Sequence, residues 1–226
     1  MEVVIITYRA DLHRTKRAAE SISLHGVGNL VDPIYIVVND GPDVFEQAQS
    51  LLSNIKRVQV FHYTDISTWI HATSGWWSQQ WLKLQAYKLV VSDWYMLIDS
   101  DMYLTRPIRQ TELFLGTRAI CNLHDRTVYR ENKLFTEYID NACAYWKVDP
   151  DEIFQILREC TPNIMHRASV GKMLEDMTPW VLGSSEASSL EFFIYWVYLH
   201  KNNLTGMYQH RDNWLPYGDG FFMDNR

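Results

Sequence analysis

Two aspartates one residue apart, Asp99 and Asp101, close the segment Trp94-Tyr95-Met96-Leu97-Ile98-Asp99-Ser100-Asp101. Carboxylates this close repel each other unless a cation lies between them. Hard divalent ions such as Mg²⁺ and Mn²⁺ take few protein carboxylates and complete their shells with phosphate oxygens and water. Alone the pattern is weak, because a turn with one capping Asp looks the same. It gains weight by following a buried strand, since ligands of open parallel sheets sit beyond the carboxyl ends of strands. Just upstream runs Gly75-Trp76-Trp77-Ser78-Gln79-Gln80-Trp81-Leu82-Lys83-Leu84. Gln80 and Lys83, spaced i,i+3, share one helix face. An amide can pair with sugar hydroxyls and an ammonium can neutralise a diphosphate. An ordinary solvated face has the same spacing.

These residues need a scaffold, and the periodicity supplies one. Val3 to Ile6 reads as a buried parallel strand. Asp11 can cap a helix over about 12–24, with Leu12, Ala19 and Ile22 inward. Ile34 to Val38 is a second strand, stopped by the turn Asn39-Asp40-Gly41-Pro42. A helix over about 43–53 and a strand from Arg57 to His62 complete a βαβαβ unit. A helix over about 77–91 then leads to the strand 94–98 that delivers Asp99 and Asp101. Residues 118–123 read as a further strand. The second half reads as mainly helical: about 131–146, 150–159 with Asp149 as cap and Pro150 in first position, 169–176 and 186–201. Residues 206–226 read as an irregular tail. The expected fold is a mainly parallel, Rossmann-type α/β sheet flanked by helices, in a single domain covering 1–226.

Composition narrows the class. A chain of 226 residues with 47% apolar content can build a full core. Aromatic content is high, with nine Trp and thirteen Tyr; excess aromatic surface can bind sugars, although core packing is the ordinary use of any one of them. A net charge of −6 weighs against a domain whose affinity is chiefly for nucleic-acid phosphates. Three Cys without metal-ligand spacing read as buried thiols in a reducing compartment. No leader and no apolar stretch near 18 residues is present, so a cytoplasmic protein without a membrane span is the expectation.

The combination Gly-Trp-Trp-x-Gln-Gln-x-x-Lys-Leu, a strand ending Asp-Ser-Asp, and then Arg106-Pro107-Ile108 resembles bacterial and phage glycosyltransferases of the GT-A fold. It is especially similar to a group described as a domain of unknown function or as capsular-polysaccharide synthesis proteins. The resemblance covers most of residues 1–201. It implies a nucleotide-sugar-binding half over 1–108 and an acceptor-side half with a tail over 109–226. It implies a UDP- or GDP-sugar donor, Mn²⁺ or Mg²⁺ on Asp99 and Asp101, and an acceptor hydroxyl on a glycan or similar molecule. Thr7, Tyr8, Arg9 and Asp40 would frame base and ribose, with Gln80, Lys83 and Ser100 completing the donor site. Asn163 to Arg167 looks like the family's His-bearing strand, with His166 either near the acceptor or metal or simply structural. Glu186 and Glu191 compete for the acidic position of a Ser-Glu-x-x-x-Tyr helix. Glu191 is preferred because Tyr195 at i+4 shares its face, and it would contact the acceptor hydroxyl or donor sugar, as a base if the reaction inverts. His210 is a candidate third metal ligand, because relatives of this fold supply one late in the chain; a merely exposed tail histidine is the ordinary alternative.

Other classes meet specific obstacles. Phosphatases that use Asp-x-Asp place it after their first strand, whereas here it follows a fourth. A nucleotidyltransferase needs a Gly-rich first loop, and Ile6-Thr7-Tyr8-Arg9-Ala10-Asp11 has no Gly. Two alternatives stay open: a catalytically inactive sugar- or nucleotide-binding module, and a phage glycosyltransferase acting on modified DNA bases.

Overall fold

The computed structural model describes residues 1–26, 30–68, 75–177 and 188–211, and the backbone of 221–223. The chain opens with β1 (Glu2–Thr7), α1 (Leu12–His25), β2 (Ile34–Val38), α2 (Pro42–Leu52) and β3 (Val58–His62). It continues with α3 (Gly75–Gln85), β4 (Trp94–Asp99), β5 (Met102–Leu104), β6 (Phe114–Leu115), β7 (Arg118–Cys121) and β8 (Leu123–Asp125). The second half contributes α4 (Lys133–Trp146), β9 (Gln155–Leu157), β10 (Asn163–His166), α5 (Arg167–Asp176), α6 (Glu191–Lys201), β11 (Tyr208–His210) and β12 (Phe221–Met223).

The central sheet has the order β10-β4-β1-β2-β3. β1 pairs in parallel with β2 and β4, β2 in parallel with β3, and β10 antiparallel with β4. Every residue of β1 and β2 is buried, as expected of continuous β-branched runs covered on both faces. Each fully buried Val or Ile there contributes about 1.5–3 kcal/mol by leaving water. Register brings the strand ends together: Thr7 lies opposite Val38, and Ile6 opposite Asp99. Tyr8, Asn39-Asp40 and Ser100-Asp101 therefore leave the sheet along one edge. Among the described residues, no helix is long and apolar enough to cross a membrane.

Two expectations fail for tertiary reasons. Residues 150–159 do not form a helix. Asp149 does cap Pro150, accepting from the Asp151 amide at 3.0 Å, but only a single 3₁₀ turn follows. The chain then becomes β9, paired antiparallel with β8, which buries Ile156 and Leu157. Residues 118–123 are strand as expected, split between β7 and the start of β8, and β7 stands in a small sheet of order β11-β7-β6. The tail is not wholly irregular, since β11 pairs with β7 and β12 with β5. Each of these strands is short, and pairing with a partner far along the chain outweighs its weak local preference.

Arg106, in the segment after the aspartates, grips Glu112 through two bonds, Nη1 to Oε2 at 3.1 Å and Nη2 to Oε1 at 2.6 Å. The Arg109 backbone N–H adds a third at 2.8 Å. The Arg106 pair, outweighing burial, holds the Glu112 carboxyl at about 2, below its usual 4.5. A depressed folded value means stability that is fully present above the unfolded value and lost as pH falls through the folded one. Glu112→Gln should therefore cost about 1–3 kcal/mol at pH 7. In thermal melts, the gap from wild type should narrow between pH 4.5 and about 2. A gap independent of pH would contradict the assignment.

Candidate active site

Two cavities meet at the carboxyl edge of the central sheet. The larger, about 510 Å³, is lined by Tyr8, Asn39, Asp40, Gly75, Trp76 and Gln79. The smaller, about 270 Å³, includes Asp11, Gln80, Lys83, Asp99, Ser100 and Asp101 in its wall. Tyr8, Trp76 and Gln79 line both. Trp76 is 47% exposed, a large apolar face left at the junction.

Lys83 is the hub of the smaller cavity. Its Nζ lies 2.9 Å from Asp99 Oδ1 and 3.1 Å from Glu191 Oε1. Burial works against the ammonium, but Asp99 and Glu191 outweigh it and raise the Lys83 pKa. Burial likewise pushes Asp99 up, yet Lys83 and a bond with Thr161 bring it below the usual carboxylate value. Glu191 is 1% exposed, and burial raises its pKa beyond what Lys83 offsets. Gln80 assists here. With its amide nitrogen turned toward the carboxylate, it donates to both Glu191 oxygens, at 2.6 Å for Oε1, and accepts from Trp76 Nε1 at 3.3 Å. A continuous chain of polar contacts thus runs from Trp76 through Gln80, Glu191 and Lys83 to Asp99. Gln80 and Lys83 form no solvated face; both are buried.

Asp101 has a different environment. It is half-exposed, and burial, then Asp99, then Asp11 push its carboxyl up. Among the described residues, no Lys or Arg forms a salt bridge with it. A divalent cation would relieve this crowding, so the residues fit such an ion: Asp101 as principal ligand, and Asp99 sharing its charge with Lys83. Asp11 does not cap α1 through its side chain. Its carboxylate instead accepts from Ser100 Oγ at 3.0 Å and pairs with Arg14 at 3.1 Å, fixing the loop between the two aspartates.

Other expected site residues lie elsewhere. Thr7 is fully buried, its hydroxyl 2.6 Å from that of Thr15, and faces neither cavity. Arg9 turns to Asp43 on the surface, while its backbone N–H donates to Asp40 Oδ2 at 3.0 Å. Glu191 stands behind Lys83 rather than on the cavity wall, so a direct contact with an acceptor is corrected to a supporting position. Tyr195 does not join it there; its hydroxyl meets Tyr208 at 2.9 Å and accepts from the His166 backbone N–H at 3.1 Å. His166 pairs across the sheet with Trp94, the far end of β4 from Asp99, about 16 Å away at strand rise. Its Nδ1 lies 2.8 Å from Ser169 Oγ, a structural placement. His210 lines a separate cavity, and its Nδ1 accepts from the Leu123 amide at 3.0 Å. The structure does not bring it to the aspartates. Among the described residues, no group of three or more His, Cys, Asp or Glu forms a metal cluster. Glu186 lies outside the described residues.

Several wall residues escaped the sequence reading. Asn39 could have been found, because it ends β2 beside Asp40; its Nδ2 donates to the Gly75 carbonyl at 3.2 Å. Phe135, Glu159, Cys160 and Leu190 form the wall contributed by the second half of the chain. No local pattern marks them.

The architecture is that of the GT-A glycosyltransferases. The galactosyltransferase LgtC, in complex with donor and acceptor sugar analogs, matches with a TM-score of 0.51 at 9% identity, covering 86% of this chain and 69% of that one. Mouse xyloside xylosyltransferase 1 in its apo form gives 0.48 at 11% identity, covering 94% of this chain and 86% of that one. The apo WbbM bifunctional glycosyltransferase gives 0.48 at 16% identity, with 89% and 37% covered. At these identities the likeness is one of fold. By sequence, the chain belongs to the family of unknown function DUF6492, which matches residues 3–223. No curated protein matches it.

Proposed function

We propose that this protein transfers a sugar from a nucleoside diphosphate donor, UDP- or GDP-linked, to an acceptor hydroxyl, with Mn²⁺ or Mg²⁺ held by Asp101 and Asp99. The observation that carries this reading is the joining of the two cavities at Tyr8, Trp76 and Gln79. One is roomy enough for a nucleoside; the other presents the acidic pair and a fixed ammonium where a diphosphate would follow. Asp40 and Asn39 offer polar groups to ribose and base, and Trp76 offers a ring face at the junction. The ion, when bound, supplies charge compensation for the departing diphosphate. Lys83 adds a second positive charge whose position is preset by Asp99, Glu191 and Gln80, so little reorganisation is needed during the reaction.

The wall charge also bears on the acceptor. Asp11, Asp99, Asp101 and Glu159 face the smaller cavity, with Lys83 the one cation among the described wall residues. A polyanion entering here meets like charge. A neutral glycan or other hydroxyl compound therefore fits better than a nucleic-acid base.

The test is a panel of nucleotide-sugars with Mn²⁺, scored for nucleoside diphosphate release. Consumption of one or a few donors is expected. Binding of UDP or GDP with metal but release from no donor would identify an inactive binding module instead.

A further inference from the structure

We infer that Glu159 is the carboxylate that receives the acceptor's hydroxyl, held in place by Tyr129 and His124. This rests on the sugar-transfer reading and adds the acceptor's side of the same cleft. The donor-side groups Tyr8, Asp99, Asp101 and Lys83 come from the first half of the chain. The opposing wall consists of Phe135, Glu159, Cys160 and Leu190, and Glu159 is its one carboxylate.

The geometry behind Glu159 is that of an oriented group. The Tyr129 hydroxyl donates to Glu159 Oε2. A tyrosine hydroxyl has one proton, so the His124 Nδ1 found 3.0 Å from the same oxygen must be the donor there. His124 therefore carries its proton on Nδ1, and a directed chain runs His124 to Tyr129 to Glu159. Tyr129 is 4% exposed and wedged edge-on against Phe135 and Phe193, at 5.5 and 5.6 Å between ring centres. β8 and β9 brace the assembly, since His124 lies opposite Ile156 in their register. One carboxylate oxygen is thus pinned from behind. Among the described residues no hydrogen bond or ion pair engages the other, Oε1, and the carboxylate lines the cleft. Such a group takes a charge-assisted hydrogen bond from an incoming O–H and sets its direction toward the donor sugar.

The experiment compares wild type with Glu159→Ala, Glu159→Gln and Tyr129→Phe. Calorimetry measures binding of UDP and GDP with Mn²⁺, and turnover is scored as donor consumption with water as the accepting hydroxyl. Glu159→Ala should lose about 10–100-fold in turnover, the scale of a hydrogen bond to a charged group, and Glu159→Gln about 10-fold. Affinity for the nucleoside diphosphate should stay within about twofold in both, which also shows that they fold. Tyr129→Phe should lose less turnover and shift its pH profile, which a purely structural tyrosine would not do. If affinity falls in step with turnover, Glu159 belongs to the donor site and the inference is overturned. Unchanged turnover would reduce Glu159 to an anchor for Tyr129. Wild type that binds nucleotide yet consumes no donor would overturn the inference while sparing the binding site. Wild type that does neither would sink the sugar-transfer reading itself.

Discussion

Asp101→Ala should lower donor turnover by at least about 100-fold, the scale of removing a principal electrostatic stabiliser. Of the two aspartates it is the more consequential. Asp99 is already paired with Lys83 at 2.9 Å, whereas Asp101 faces the cleft beside Asp99 and Asp11 with no salt bridge from the described residues. If Asp101 holds the proposed ion, an alanine there would delete its main ligand and leave Asp99 divided between ion and ammonium. The fold should survive, because burial and like charges destabilise the native ionised Asp101, and their removal costs nothing. Turnover in the nucleotide-sugar panel checks the first expectation and thermal unfolding the second. A variant with wild-type turnover would show that Asp101 is a bystander.

Lys83→Met should have the largest effect on stability, about 3–5 kcal/mol. The ammonium sits between Asp99 and a Glu191 that is 1% exposed, and its loss strands a buried carboxylate. For a domain of this size that corresponds to a fall of roughly 10 °C in Tm. The double variant Lys83→Met, Glu191→Leu should recover much of the loss, because removing both charges removes the desolvation penalty as well. Turnover should stay low in the double variant, since the fixed positive charge is gone. A single variant that melts like wild type would show that the Asp99–Lys83–Glu191 contacts do not support the fold.

The scaffold was legible where one local signal sufficed. Val3 to Ile6, Ile34 to Val38 and Trp94 to Ile98 are apolar runs bounded by turns, and all three are strands of the central sheet. The rule that ligands sit at strand ends located Tyr8, Asp40, Asp99 and Asp101, and helical spacing grouped Gln80 with Lys83. What stayed hidden depends on contacts between distant segments. Thr7 ends β1 next to Tyr8, but successive side chains alternate sides, and it points to Thr15. Asp11 has the sequence of a cap, yet Ser100, 89 residues away, claims its carboxylate. Glu159 ends a stretch whose sequence predicts a helix over 150–159, which pairing of β9 with β8 forbids. His210 as a metal ligand rests on family resemblance alone, and pairing with β7 holds it at another cavity.

The most direct measurement is a calorimetric titration of UDP and GDP into the protein with and without Mn²⁺, repeated on Asp101→Ala. Binding of one nucleotide that requires the metal and disappears in the variant is the expected result. Equal binding without metal, or undiminished binding by the variant, would contradict the role given to the acidic pair.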